Sequence, residues 1–167
     1  MKVKVLAMGL VWCVLGCGSS PVTLKYGARS YAPGDYEEVY ERWTRENEEF
    51  EMGQLQYVLA AAATFEAWDF RWAYTVRYAY DYGLTTTERE QMLHTAHQGS
   101  LNTHSFLVTL AGSNFRESDL TSKHTAWRAI LINDKGQRIT PVKIDKIDGV
   151  YAPERVYFPT ISRHRMA

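Results

Sequence analysis

The 167 residues carry 19 basic and 19 acidic side chains, and 46% of them are hydrophobic while 23% are charged. These ordinary globular values exclude a chain that is disordered throughout. The charge balance argues against nucleic acid as a partner, because nucleic-acid binding depends on an excess of Lys and Arg.

The first twenty residues are ordered as basic, then apolar, then small. Lys2 and Lys4 precede an apolar run over residues 5–15, and Gly16 and Cys17 follow it. That order is how a secretory signal is built. A run of eleven residues is too short for a membrane-spanning helix, which needs about 20 apolar residues.

The run Val14-Leu15-Gly16-Cys17 resembles the lipobox of bacterial lipoprotein precursors. The resemblance implies that residues 1–16 are a cleaved signal peptide and that Cys17 is lipidated on its sulfur and acylated, for example with palmitate, on its new amine. Gly18, in place of the aspartate that often signals inner-membrane retention, implies the outer membrane. A plain secreted protein and an uncleaved anchor are the alternatives.

The cysteine count agrees with this interpretation. Cys13 would leave with the signal and Cys17 would become a thioether, so the mature domain would contain neither a free thiol nor a disulfide. Residues 17–34 are rich in Gly, Ser, Pro and Tyr with little periodicity, which predicts a flexible tether between the lipid and the folded part.

Residues 35–103 are predicted to form a helical segment of two to three helices. Asp35 and Glu38 resemble a capping box for a helix that extends to Glu51. Apolar residues then recur at three- and four-residue intervals from Gln54 to Tyr82, Gly83 is placed to end that helix, and a third helix follows over about 87–102. Thr85 with Glu88 and Thr87 with Glu90 are alternative capping boxes for this third helix. The short link predicts an antiparallel helical hairpin.

Aromatic residues are concentrated on the second of these helices. Trp68 and Trp72 lie on one side of it, and Tyr74 and Tyr78 lie on another. Because their spacing follows the helical period, core packing is the favoured interpretation. The alternative is a contact surface for a ligand or partner, either a stacking platform for sugars or a contact with the outer membrane.

Residues 104–167 are predicted to form an antiparallel β segment. The pattern changes to period two at residues 106–110, and further strands are predicted over 127–132, 137–147 and 155–158, with a turn at Asn133-Asp134-Lys135-Gly136. The fold class is therefore α+β, with helices packed on a small sheet that resembles part of an immunoglobulin-like sandwich. An open sheet edge could accept a partner's strand. The alternatives are that helices cover the sheet or that the tail frays.

No catalytic residue, metal site or cofactor is predicted. His94 and His97 could touch one ion, but no further ligand completes a set, and His104 lies too far along the helix. Motifs for a nucleophilic serine and for a phosphate-binding loop are absent from the sequence. An envelope hydrolase is thus the least favoured function.

Charge is distributed unevenly along the chain. Residues 35–51 contain eight acidic and two basic side chains, whereas residues 121–167 contain nine basic and four acidic ones. The two regions could attract each other, or the basic one could meet an anionic envelope polymer. The mature part is also loosely similar to uncharacterised envelope lipoproteins of myxobacterial type. We expect a membrane-anchored, non-enzymatic binding or assembly protein with an envelope protein partner; the alternative is a glycan or cell-wall binder.

Overall fold

The structure, a computed structural model, describes residues 24–51, 56–112, 119–147 and 152–163. The fold is α+β with a small antiparallel sheet, as the sequence predicts. A 3-10 turn at Pro33–Asp35 precedes α1 (Tyr36–Trp43), and the other helices are α2 (Trp68–Asp81), α3 (Thr86–Ser100), α4 (Ala152–Tyr157) and α5 (Pro159–Arg163). The strands are β1 (Thr44–Glu51), β2 (Gln56–Phe65), β3 (Phe106–Gly112), β4 (Leu131–Ile132) and β5 (Arg138–Ile139).

Two of the predicted helices are shorter than expected, and the segment 35–103 is not wholly helical. The helix predicted from Asp35 to Glu51 ends at Trp43, and the helix predicted from Gln54 begins only at Trp68. The capping box predicted at Asp35 and Glu38 does not form, because the Asp35 carboxylate accepts from the Ala32 amide instead. The residues between them form β1 and β2. Alanine favours helices, yet the residues of the run 60–63 are alternately buried and half-buried. The packing of a central strand therefore overrides local propensity here.

The larger sheet has the order β1-β2-β3, and both of its pairings are antiparallel. Thr44 and Thr64 lie opposite each other on β1 and β2, and their buried hydroxyls share a hydrogen bond of 2.8 Å. On the other side of β2, Phe65 pairs with Phe106 of β3, and their rings stack with centroids 4.8 Å apart. The strand predicted over 106–110 is thus confirmed, and it extends to Gly112.

The link between α2 and α3 forms as predicted. Gly83 has a φ of 63°, and the Leu84 amide donates to the Ala79 carbonyl at 2.8 Å, which closes α2 with a Schellman motif. Thr85 then caps α3, since its hydroxyl accepts from the Glu88 amide while the Glu88 carboxylate accepts from the Thr85 amide. The two helices pack against each other.

An aromatic core joins the two ends of the described chain. The buried side chains of this core come from α1, α2 and α4, and they are Tyr36, Val39, Tyr40, Phe70, Ala73 and Tyr157. The Tyr36 hydroxyl donates to the Tyr157 carbonyl at 2.6 Å, and the Tyr40 hydroxyl lies 3.0 Å from the Thr160 hydroxyl. The strand predicted at 155–158 is therefore wrong, because these residues form the end of α4 and the residue that follows it, and they complete the core.

The described part of the predicted tether, residues 24–34, makes side-chain contacts with α2 and the end of α3. Trp68 donates its indole N–H to the Gly27 carbonyl at 2.7 Å, and Tyr26 donates its hydroxyl to the Ser100 carbonyl at 2.7 Å. Arg29 forms an ion pair with Asp69, whose carboxylate is almost completely buried. Side chains of α2 and the end of α3 thus hold this segment in place. We call residues 24–35, α1, α2, α4 and α5 together the aromatic body.

Only a small part of the predicted second strand pair is regular. Leu131 pairs with Ile139, and the turn between β4 and β5 contains Gly136 at a φ of 74°, so the predicted turn is confirmed. The predicted strands 127–132 and 137–147 are reduced to two residues each. Within the described residues the larger sheet packs against α1, and the partial immunoglobulin-like sandwich, which needs two facing sheets, is not observed.

Candidate functional site

The first pair of predicted contact residues lies in an aromatic cluster between α2, α3 and the N-terminal segment. Trp68 is only 8% exposed, and Trp72 is half-buried with its ring centroid 5.6 Å from that of Trp68. Tyr26 and His97 complete the cluster, with ring centroids 5.7 and 5.4 Å from that of Trp68. Because the neighbouring rings and the Gly27 carbonyl occupy the Trp68 indole, that side chain offers little surface to a sugar or a membrane.

The second pair lies on the opposite part of α2 and belongs to the aromatic body. Tyr74 and Tyr78 are half-buried and pack against the core cluster. Tyr74 contacts Tyr157 at 5.2 Å between ring centroids, and Tyr78 stacks on Tyr82 at 4.3 Å. The four predicted contact residues therefore do not form one surface. They stabilise two separate regions of the interior.

The three histidines do not meet. His94 is exposed on α3, His97 lies in the cluster with Trp68, and His104 packs its ring edge against Phe65 at 5.6 Å. Across the described ranges, no three side chains of the His, Cys, Asp and Glu types are arranged to hold a metal ion. Cys17, the predicted lipidation site, lies outside the described residues.

A groove of about 450 Å³ runs between α2 and α3 beside Phe158. Its apolar wall includes Phe70, Tyr74 and Met92. Its charged group, Arg71, is already used, because the guanidinium donates to the Glu66 carboxylate and to the Glu66 carbonyl at 2.7 and 2.9 Å. The groove could accept an apolar side chain, but the Arg71 guanidinium that lines it is already satisfied within the chain.

The most exposed apolar surface is the segment of residues 130–147, which we call the arm. Each residue from 134 to 147 is exposed, and Val142 is fully exposed. The arm presents large apolar side chains along its length, namely Ile130, Leu131, Ile132, Ile139, Val142, Ile144 and Ile147. Soluble monomers rarely expose so many together, and such patches mark interaction sites. The arm is the candidate functional site.

The arm has its own local order. The Asn133 carboxamide oxygen accepts from the Lys135 and Gln137 amides at 3.0 and 2.9 Å, which fixes the turn. At the other end, Lys146 donates to Asp119 at 3.1 Å. Hydrogen bonds from the Thr121 hydroxyl and amide, together with Lys146, lower the pKa of Asp119 to about 2. Hydrogen bonds at both ends therefore order the arm as a hairpin.

The arm is basic as well as apolar. The arm contains four basic and two acidic side chains. The sequence predicts strands over 127–132 and 137–147, whereas the structure leaves the apolar side chains of the arm exposed. The signal that could have revealed the exposed arm is the spacing of the charges, because Lys143, Asp145 and Lys146 interrupt every apolar pair after Pro141.

The opposite charge is concentrated on β1, at an edge of the larger sheet. The exposed side chains of Glu46, Glu48 and Glu49 lie there. Their cross-strand neighbours on β2 are Ala62, Ala60 and Leu59, which carry no charge. Arg45, the basic residue of the strand, donates instead to the Arg42 and Thr44 carbonyls at the end of α1.

Comparison with known proteins adds no further assignment: no protein-family model, curated protein or solved structure matches the chain. In the part of the chain that the structure describes, no helix is long and apolar enough to cross a membrane.

Proposed function

We propose that this chain is a lipid-anchored protein of the bacterial outer membrane that acts without catalysis, as a binding or assembly component of an envelope complex. The observation that carries the binding role is the arm, whose apolar side chains lie in solvent. Burying one isoleucine or leucine side chain contributes about 1.5–3 kcal/mol, so a partner that covered several of them would gain substantial affinity.

The anchoring role is supported by the run Val14-Leu15-Gly16-Cys17 and by the absence of any other cysteine after Cys17. One acyl chain binds a membrane only marginally, whereas several anchor a protein stably. The docked N-terminal segment also bears on this role. Six residues lie between Cys17 and Leu24, and the seven residue-to-residue steps, at about 3.5 Å each, span at most about 25 Å. The folded part would therefore stay close to the lipid headgroups.

The burial of Trp68 weighs against the glycan-binding alternative. That alternative uses Trp68, Trp72 and nearby tyrosines as an exposed stacking surface, but Trp68 is buried and Trp72 lies against it. The binding role is better placed on the arm.

Metabolic labelling with palmitate tests the anchor. We expect Cys17→Ala to abolish the label and to move the protein from the membrane fraction to the soluble fraction. Cys13→Ala is the matched control, because it removes the other cysteine of the chain and should leave both the label and the membrane fraction unchanged. Label that persists in Cys17→Ala would contradict the proposal.

Crosslinking in intact cells tests the binding role. A photoreactive amino acid at Ile139, in the arm, should capture a protein, whereas the same group at Tyr80, exposed on α2, should not. Equal capture from both positions would contradict a specific role for the arm.

A further inference from the structure

The arm and the edge strand β1 have complementary surfaces. The arm combines exposed isoleucine and valine side chains with Lys135 and Arg138, whereas β1 presents Glu48 and Glu49 from an exposed edge. We propose that the occupant of the arm is a second copy of this chain, with the arm of each copy docked along β1 of the other. The inference rests on the proposed function, because it names the partner of the same arm.

The sheet edge supplies the first reason. In the order β1-β2-β3, one side of β1 pairs with β2, and no described strand pairs with its other side. The unpaired backbone groups of such an edge are a template for another strand. The glutamates repel a second acidic strand and attract a basic one, so the edge selects for the composition that the arm has.

The charges on β1 supply the second reason. Glu48 faces Ala60 and Glu49 faces Leu59 within the sheet, so the neighbouring strand offers them no cation. Arg45 is turned to the carbonyls at the end of α1. Glu48 and Glu49 are successive residues and project to opposite faces of the strand, so a basic strand along this edge would meet one carboxylate on each face.

β3 forms the opposite edge of the larger sheet, with β2 between it and β1. Its residues Phe106–Gly112 include no acidic side chain, so the carboxylates that would select a basic strand lie on the β1 edge. Since each copy carries both surfaces, the exchange closes as a two-fold dimer.

Anchoring would favour the same association. Two copies held within about 25 Å of one membrane meet at a higher effective concentration than two copies free in solution. The dimer should therefore form in the membrane even where dilution in detergent weakens it.

Site-specific disulfide crosslinking in membranes tests the proposal with the full chain. One copy carries Glu48→Cys with one tag, and a co-expressed copy carries Lys135→Cys with another. We expect oxidation to give a species of doubled mass that contains both tags. The matched control replaces Lys135→Cys with Glu90→Cys, exposed on α3, and should give none. Equal yields from the two pairs would overturn the inference.

Reversing a charge on the arm provides a second test. The change Arg138→Glu in the copy that carries Lys135→Cys should lower the crosslinked yield severalfold, and Glu49→Lys in the Glu48→Cys copy should restore part of it. A yield that survives the reversal, or that is not rescued, would overturn docking by charge complementarity. If the Ile139 probe captures another protein and this pair gives no crosslink, the self-association fails while the binding role stands. If Cys17→Ala keeps its label, the anchor fails, and the crosslinked yield still reports on the dimer.

Discussion

The aromatic body and the arm both contain large apolar side chains, but they use them in opposite ways. In the aromatic body, Tyr36, Phe70 and Tyr157 lie less than 5% exposed, and the tyrosine hydroxyls donate to a carbonyl and to a carboxylate. In the arm, Ile132 and Ile139 are more than half exposed, and the regular hydrogen bonding is limited to a two-residue ladder. Buried apolar groups stabilise a fold, whereas exposed ones are available to a partner.

Removing the ring at the centre of the aromatic body should have the largest effect. Phe70 is 2% exposed and contacts the rings of Tyr36, Tyr40, Tyr74 and Phe158. We expect Phe70→Ala to lower the free energy of unfolding by about 3–5 kcal/mol, because it removes buried area and leaves a cavity. Urea denaturation measures this change. A loss below about 1 kcal/mol would contradict the assignment of Phe70 to the core.

The ion pair that holds the N-terminal segment should rank second. Arg29→Met leaves the Asp69 carboxylate buried without its cation, and we expect a loss of about 3 kcal/mol in the free energy of unfolding. Arg128→Met, at an exposed position, is the matched control and should change stability by less than about 0.5 kcal/mol. Equal behaviour of the two variants would mean that residues 24–34 are a tether after all.

Alkaline pH should destabilise the aromatic body through its buried phenols. Burial, followed by the neighbouring tyrosines, raises the pKa of Tyr36 above its ordinary value of 10.0. Below pH 10 the phenol is protonated in both states and contributes no pH dependence. Above pH 10 the unfolded state loses a proton that the folded state keeps, so the free energy of unfolding falls by up to about 1.4 kcal/mol per pH unit.

Denaturation at pH 9 to 11 measures this dependence. Tyr36→Phe should flatten the decline, although it loses the hydrogen bond to the Tyr157 carbonyl and with it about 1 kcal/mol at neutral pH. Tyr80→Phe is the control, because Tyr80 is 71% exposed, and it should keep the wild-type slope. An unchanged slope in Tyr36→Phe would show that this phenol is not the buried group responsible.

The arm should give the smallest change in stability. We expect the double variant Ile132→Ser and Ile139→Ser to alter the free energy of unfolding by no more than about 0.5 kcal/mol, since neither side chain is buried. The same variant should lose crosslinking through the arm. If it unfolded as readily as Phe70→Ala, the arm would belong to the core and the contrast between the two regions would fail.

Local rules explain where the sequence-based prediction succeeded. Gly83, Thr85 and Glu88 define a helix stop and a capping box within six residues, and Asn133 and Gly136 define a turn, so both features follow from neighbouring residues alone. The prediction failed at residues 44–65. There the alanine run favours a helix, and only pairing with β1 and β3 makes it a strand.

The candidate site shows the same division. The run that predicts lipid anchoring at Cys17 consists of residues that are neighbours in the chain. The acidic and the basic region are also continuous stretches, so all three can be found in the sequence itself. Whether an apolar residue is buried depends instead on residues distant in the chain. Trp68 is covered because Tyr26, Gly27 and His97 reach it, whereas Ile139 lies in solvent because no described element covers it.

The sequence by itself determined the α+β class, the helix stop at Gly83, the turn at residues 133–136, the acidic and basic regions and the lipobox-like run. Only the tertiary structure decided that residues 44–65 are strands, that residues 24–34 are docked, that α4 completes the aromatic core and that the arm is exposed. The physical reason is the range of the interactions. Caps and turns are satisfied within a few residues, whereas strand pairing and burial are settled by contacts between segments such as α1 and α4, about 120 residues apart.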